Sequence, residues 1–286
     1  MKTILMQFDT DARPSTFDRV VAVDAGVDEL FSYGDISPEN VTSLVHGAIF
    51  TRGMKDLKHT AIFIGGSQVS AGEALLKQVG KTFFGPMRVS VMMDSNGSNT
   101  TAAAAVLAAK KHLSLSGLSA LVLGGTGPVG HRVAQILASQ GSIVRVASRT
   151  LDRAEQTVAA IRSVVPDAQV TPVATGTEAE LLAASTGVSL IVAAGAAGVE
   201  LLAESTWRSL SELCVLIDLN AVPPLGLGGV QALDKGVERQ GIFCYGALGV
   251  GGTKMKVHKA AIAKLFESND QVLDTAAIYA IAETLA

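Results

Sequence analysis

The chain has 286 residues, 48% of them apolar and only 17% charged, with a formal net charge of −3. That length and apolar content exclude a disordered chain and suit two domains of ordinary size. The near-neutral balance gives no field for nucleic acid, and the longest charge-free apolar stretch, Leu181 to Val199, is interrupted by serines and glycines, so it reads as a helix end, a turn and a buried strand rather than a membrane span.

Strand and helix signals alternate through the first third. Lys2–Phe8 is a short apolar run ending in Asp9-Thr10-Asp11, with no long apolar core or cleavage site of a secretory leader. Ser15–Ala25 has helical spacing and Leu30–Tyr33 reads as a strand. A helix is predicted from Pro38 to Phe50 with Ser37 as its cap. Thr60–Ile64 is a buried strand ending in Gly65-Gly66-Ser67. A helix over Val69–Phe84 follows, then a strand over Val89–Met93 ending in Asp94-Ser95-Asn96-Gly97-Ser98-Asn99. Apolar strands alternating with amphipathic helices predict a parallel sheet covered on both faces. An Ala-rich helix from Thr100 to His112, capped by Asn99 or Ser98, reads as the connector to a second domain.

The second domain opens with the strand Ala120–Gly124, then Gly125-Thr126-Gly127-Pro128-Val129-Gly130 and a helix to Ser139. A Gly-x-Gly-x-x-Gly run between a buried strand and a helix is the fingerprint of a dinucleotide site. Its first glycine permits a tight turn, its second a close approach to the pyrophosphate, its third close helix–strand packing. Pro128 suits a first helical turn, and the helix start offers amides and partial positive charge to phosphates. The next strand, Ile143–Ala147, ends in Ser148-Arg149-Thr150. An NAD site places a carboxylate about 20 residues on, for the ribose 2′-hydroxyl. Here Arg149 takes that place and Arg153 follows. Guanidinium groups suit a 2′-phosphate, so the cofactor reads as NADP.

Further strands are read at Gln169–Val173, Leu190–Ala194, Val215–Leu219 and Ile242–Tyr245, with a helix from Arg153 to Val164. Ala194 and Gly195 are small enough for a nicotinamide riboside to lie against the backbone, and Asp218 and Asn220 end the following strand, where open α/β sheets bind ligands. If the two domains face each other, the Asp9–Asp11 and Asp94–Asn99 loops line a cleft opposite the nicotinamide. Gly246–Gly252 reads as a loop, and Lys254-Met255-Lys256-Val257-His258-Lys259 as the start of a helix to Phe266, with a last helix over Asp274–Leu285. Lysines at a helix N-terminus oppose the dipole, which points to an anionic partner or an active-site role. Cys214 and Cys244 read as buried, reduced thiols of a cytoplasmic protein. No metal-ligand spacing, P-loop or nucleophile elbow is present. The reading gives an α/β protein with an N-terminal parallel domain over 1–113, a Rossmann-type domain over 114–250, and C-terminal helices over 251–286 returning to the first domain.

Four segments resemble one family: Gln7–Asp11, Asp94–Ala104, Gly125–Gly130, and Gly246–Gly252 with Lys254-x-Lys256-x-His258. Together they are similar to the NADP-dependent methylene-tetrahydromethanopterin dehydrogenases of methylotrophic bacteria. The resemblance runs from the first strand to the last helix. It implies oxidation of methylene-tetrahydromethanopterin, sometimes of methylene-tetrahydrofolate, to the methenyl cation in formaldehyde oxidation. It also implies a homo-oligomer built as a trimer or hexamer. Lys256 is the residue it associates with the pterin, with Asp9, Asp94, Asn96, Ser98 and Asn99 on neighbouring edges of the substrate. Ser148, Arg149, Thr150 and Arg153 also look like the NADP segment of shikimate dehydrogenases. The paired-serine shikimate motif is missing near residue 15, which leaves that oxidoreductase, and a non-catalytic NADP-binding module, as the alternatives.

Overall fold

Residues 1–285 are described by a computed structural model. The first strand, β1 (Ile4–Asp9), is buried from Leu5 to Asp9. Helix α1 (Thr16–Asp24) starts where the Ser15 hydroxyl accepts from the Asp18 amide at 3.2 Å, and β2 (Glu29–Tyr33) forms an edge. Helix α2 (Thr42–Phe50) begins later than the sequence suggests. The Ser37 hydroxyl accepts from the Glu39 amide, while the Ser37 amide donates to the Asn40 side chain. These local bonds hold residues 37–40 in a turn rather than in a first helical turn.

Strand β3 (Thr60–Gly65) is buried throughout, α3 (Val69–Thr82) follows, and β4 (Ser90–Met93) lies beside β3. Helix α4 (Ser98–Lys110) is capped neither by Ser98 nor by Asn99. Asp94 caps it instead, across a short 3-10 turn, through Oδ1 to the amides of Asn99 (2.9 Å) and Thr100 (3.1 Å). Ala102 through Ala109 are all buried, as in a helix enclosed on every side.

The following sheet is built on β5 (Ser119–Leu123). Helix α5 (Pro128–Ser139), β6 (Ile143–Ser148), α6 (Leu151–Val164) and β7 (Val170–Ala174) lead away from it on one side. After α7 (Glu178–Ser185) the chain returns to the other side of β5 with β8 (Leu190–Ala193), then α8 (Glu204–Trp207) and β9 (Val215–Asp218). An antiparallel strand β10 (Lys235–Arg239) and β11 (Ile242–Tyr245) complete the order β10-β11-β9-β8-β5-β6-β7. β10 carries no apolar run, because it is a solvent-facing edge strand.

Helix α9 (Ala247–Lys264) starts directly after β11. The run Gly246–Gly252, expected as a loop, is therefore mostly helix. A two-residue strand, β12 (Val272–Leu273), pairs in parallel with β4, and α10 (Thr275–Glu283) closes the fold with Asp274 as its cap. The first sheet thus has the order β12-β4-β3-β1-β2, wholly parallel. The chain divides into two compact units, Met1–Thr100 with the segment from Met255, and Thr101–Lys254. Each has its own core, around Phe8, Ile62 and Val91 in one and around Leu121, Ile191 and Trp207 in the other. Cys244 is buried and Cys214 half-buried, and both are free thiols.

Candidate functional site

In the second unit the chain reverses direction across the sheet between β5 and β8. Such a switch point leaves a crevice beyond the carboxyl ends of the two strands. A cleft of about 520 Å³ opens there. Gly124, Thr126, Gly127 and Pro128 line it from the turn between β5 and α5. Ser148, Arg149 and Arg153 line it after β6, Thr175 and Gly176 after β7, and Ala194, Gly195, Ala196, Val199, Glu200 and Leu201 after β8.

The glycines divide their work differently from the sequence reading. The left-handed residue is Gly124, at φ +67°, not Gly125. A Cβ on Gly124 would lie 2.6 Å from the Gly195 Cα, so the two loops touch backbone to backbone. Gly125 turns inward, where a Cβ would meet Val146 of β6 at 2.8 Å. Gly130 packs against the Gly124 carbonyl. Gly127 faces the cleft, where a Cβ would fill the gap between the carbonyls of Gly124 (3.3 Å) and Ala194 (3.5 Å). With Pro128 as the first residue of α5, the first-turn amides have no helical acceptors and are open to an anion.

Ser148 is buried and ends β6, whereas Arg149 and Arg153 are exposed. Neither guanidinium has a hydrogen-bond or ion-pair partner among the described residues. Two unpaired cations beside an anion-binding helix start fit a dinucleotide with an additional phosphate. Thr150 precedes α6 without a side-chain cap bond and does not line the cleft. Val129 does not line it either. Asn220 is buried with its side chain used in its own loop, its Oδ1 accepting from the Val222 amide and its Nδ2 donating to the Pro224 carbonyl. Asp218 beside it accepts from the amides of Asn220 and Leu227, and burial raises its carboxyl above the usual range. These two residues shape the loop after β9 rather than the cleft wall.

The first unit has a switch point of its own, between β1 and β3, whose last residues Asp9 and Gly65 are paired in register. The Asp9 carboxylate is buried and accepts from the amides of Asp11 (3.0 Å) and Ser15 (2.9 Å). Asp11 in turn accepts from the amide and hydroxyl of Ser67. Gly66, at φ +113°, leaves no room for a Cβ beside Thr10. Asp94, Ser98 and Asn99 are also buried and internally bonded. Thr100 donates its hydroxyl to Asp94 Oδ2 at 2.6 Å, Ser98 donates to the Ser95 carbonyl, and Asn99 bridges the Met93 carbonyl and the Thr275 hydroxyl. Asn96 is the exposed member, held at φ +56°.

Lys256 is exposed and has no hydrogen-bond or ion-pair partner among the described residues. It stands in the third turn of α9, not at its start, so the dipole argument for the lysines does not hold. His258, two residues on, is fully buried on the other side of the helix. Its ring stacks on Phe63 of β3 at 5.6 Å between centroids, and its Nδ1 lies 4.0 Å from Asp94 Oδ2. Among the described residues no group of His, Cys, Asp and Glu could hold a metal ion.

A family model described as methylene-tetrahydromethanopterin dehydrogenase, N-terminal, matches residues 16–96. Bifunctional protein MdtA of Methylorubrum extorquens is 47% identical to the chain, an alignment covering 100% of this chain and 99% of that protein. The chain belongs to the methylene-tetrahydromethanopterin dehydrogenase family. A second relative from the same organism, an NAD(P)-dependent methylenetetrahydromethanopterin dehydrogenase, is 30% identical over 95% of both chains. Shikimate 5-dehydrogenase from Listeria monocytogenes shares the fold, with a TM-score of 0.57 over 100% of this chain and 96% of that one at 15% identity. Thr175, Gly176 and Glu200 are cleft residues that the sequence reading passed over. Thr175 and Gly176 directly follow β7, a signal the sequence carried, whereas Glu200 lies seven residues past the end of β8 and had none.

Proposed function

We propose that the chain oxidises the methylene group of methylene-tetrahydromethanopterin, with methylene-tetrahydrofolate as the alternative carrier, to the methenyl cation in formaldehyde oxidation, with NADP as the hydride acceptor. The observation that carries this reading is the cleft at the β5–β8 switch point with Arg149 and Arg153 at its rim. Bound NADP would supply the electrophilic ring carbon that takes the hydride. Gly127 and the start of α5 would hold its phosphates, and Ser148, Arg149 and Arg153 its 2′-phosphate. Ala194 and Gly195 would let the riboside approach the backbone.

The pterin nitrogens push electrons toward the departing hydride, so the protein needs no general base. Its task is placement of the donor carbon about 3–3.5 Å from the acceptor carbon. Lys256 would orient the pterin by hydrogen bonding to a ring carbonyl or nitrogen. Its charge would oppose a forming carbocation, so stabilising that cation is not its role. Asn96 is the loop residue open to the substrate, while Asp9, Asp94, Ser98 and Asn99 hold the loops that surround it. The remaining parts of the reading are a homo-oligomer, trimeric or hexameric, and a cytoplasmic location. Among the described residues no helix is long and apolar enough to cross a membrane. The test is an absorbance assay of NADP reduction with methylene-tetrahydromethanopterin. Reduction is expected, and its absence with both one-carbon carriers would overturn the proposal.

A further inference from the structure

Strand order fixes which way a dinucleotide runs in the cleft. Arg149 and Arg153 follow β6, the phosphate-binding turn follows β5, and β8 lies on the far side of β5. A ligand with its 2′-phosphate at the arginines and its pyrophosphate at α5 must extend its nicotinamide half past Ala194 and the segment after it. That segment carries a carboxylate, Glu200, in the lining of the cleft.

Glu200 has no hydrogen-bond or ion-pair partner among the described residues. Its backbone is nevertheless anchored. The Leu201 amide donates to the Gly226 carbonyl at 2.8 Å, Leu202 bridges to Leu227, and the Gly228 amide donates to the Leu202 carbonyl at 2.9 Å. The carboxylate sits against Gly228, where a Cβ would lie 3.1 Å from Oε2, so a glycine preserves its place. An exposed, unpaired carboxylate in a phosphate-binding cleft repels the phosphates of a dinucleotide. The one positive charge the ligand offers it is the nicotinamide ring, and only in the oxidised form.

We infer that Glu200 selects the oxidised cofactor by facing the cationic nicotinamide ring from the loop after β8. This rests on the reading of the cleft as an NADP site. The attraction exists with the oxidised ring and vanishes when a hydride neutralises it. By linkage, the bound couple becomes a weaker oxidant by the same factor, and the reduced product is held less tightly and leaves sooner.

Calorimetric titration of the unmodified protein and of Glu200→Gln tests this with NADP⁺, NADPH and 2′,5′-ADP, a probe for the adenosine half alone. Glu200→Gln should weaken NADP⁺ roughly three- to fivefold, the size of an exposed charge pair. It should leave NADPH no weaker and 2′,5′-ADP unchanged. Equal weakening of NADP⁺ and NADPH would make Glu200 a neutral hydrogen-bond acceptor and overturn the inference. A change with 2′,5′-ADP would put the carboxylate at the adenosine end and also overturn it. If the unmodified protein binds none of the three probes, the cofactor reading itself falls, and this inference with it.

Discussion

Replacing Asp94 by alanine separates two roles that the sequence alone leaves joined, a ligand for substrate and a support for the loop. The carboxylate is 1% exposed and accepts from the amides of Asn99 and Thr100 and from the Thr100 hydroxyl. Alanine removes a helix cap worth about 1 kcal/mol. It also removes the acceptor of the buried Thr100 hydroxyl, a loss of about 1–3 kcal/mol. A total near 2–4 kcal/mol follows, against an ordinary domain's stability of about 5–15 kcal/mol. At about 2 °C per kcal/mol for a chain of this size, the melting temperature should fall by roughly 4–8 °C. Asp94→Asn keeps an oxygen for the two amides and should lose only about 1 kcal/mol. Circular dichroism melts of both variants, with NADP titrations alongside, make the measurement. NADP affinity should stay the same, because the Arg149 cleft belongs to the other unit. If the alanine variant melts within 1–2 °C of the parent yet loses turnover, Asp94 is a substrate ligand and the capping argument is wrong.

Arg149→Ala removes a charge-assisted pair worth on the order of 1.5–3 kcal/mol. It should raise the Michaelis constant for NADP more than tenfold while barely moving that for NAD, and steady-state kinetics with both cofactors decides it. Lys256→Ala should lower turnover about 10²-fold by letting the donor carbon drift. Its NADP affinity and melting temperature should not change, since the side chain is exposed and unbonded; Lys254→Ala should do far less, and full turnover in the Lys256 variant would dismiss the assignment. Gly124→Ala combines a left-handed backbone with a clash against Gly195, so calorimetry should find NADP binding lost in whatever protein remains folded. Prolonged chelation should leave activity intact, and recovery only on adding zinc or iron would show that a metal is required.

The alternation of strands and helices was legible because buried parallel strands leave continuous apolar runs, as in Thr60–Ile64 and Ala120–Leu123. The dinucleotide loop was legible because a Cβ at Gly125 or Gly130 would press against a backbone carbonyl, that of Val122 or of Gly124. Other features escaped for equally physical reasons. β10 is an exposed edge strand without an apolar run, and β12 contributes only two residues. The glycines before Lys254 read as a loop by propensity, yet Gly246 and Gly249 are glycine because the carbonyls of Gln231 and Asp234 press against them. That mistake moved Lys256 to a helix start it does not occupy. Aspartate binds ligands and caps loops alike, and only the folded chain shows that the oxygens of Asp9 and Asp94 point to backbone amides. His258 stood in the family-like segment without a role, because its burial against Phe63 and beside Asp94 is set by tertiary packing.

The central claim is direct hydride transfer from the one-carbon unit to NADP. It is tested by supplying tetrahydromethanopterin loaded with a dideuterated methylene group and analysing the cofactor by mass spectrometry and NMR. Reduced NADP should carry one deuterium at its nicotinamide C4, and none should be taken up there when unlabelled substrate is turned over in deuterated water. Deuterium entering from the solvent, or no transfer from the labelled methylene at all, would contradict it.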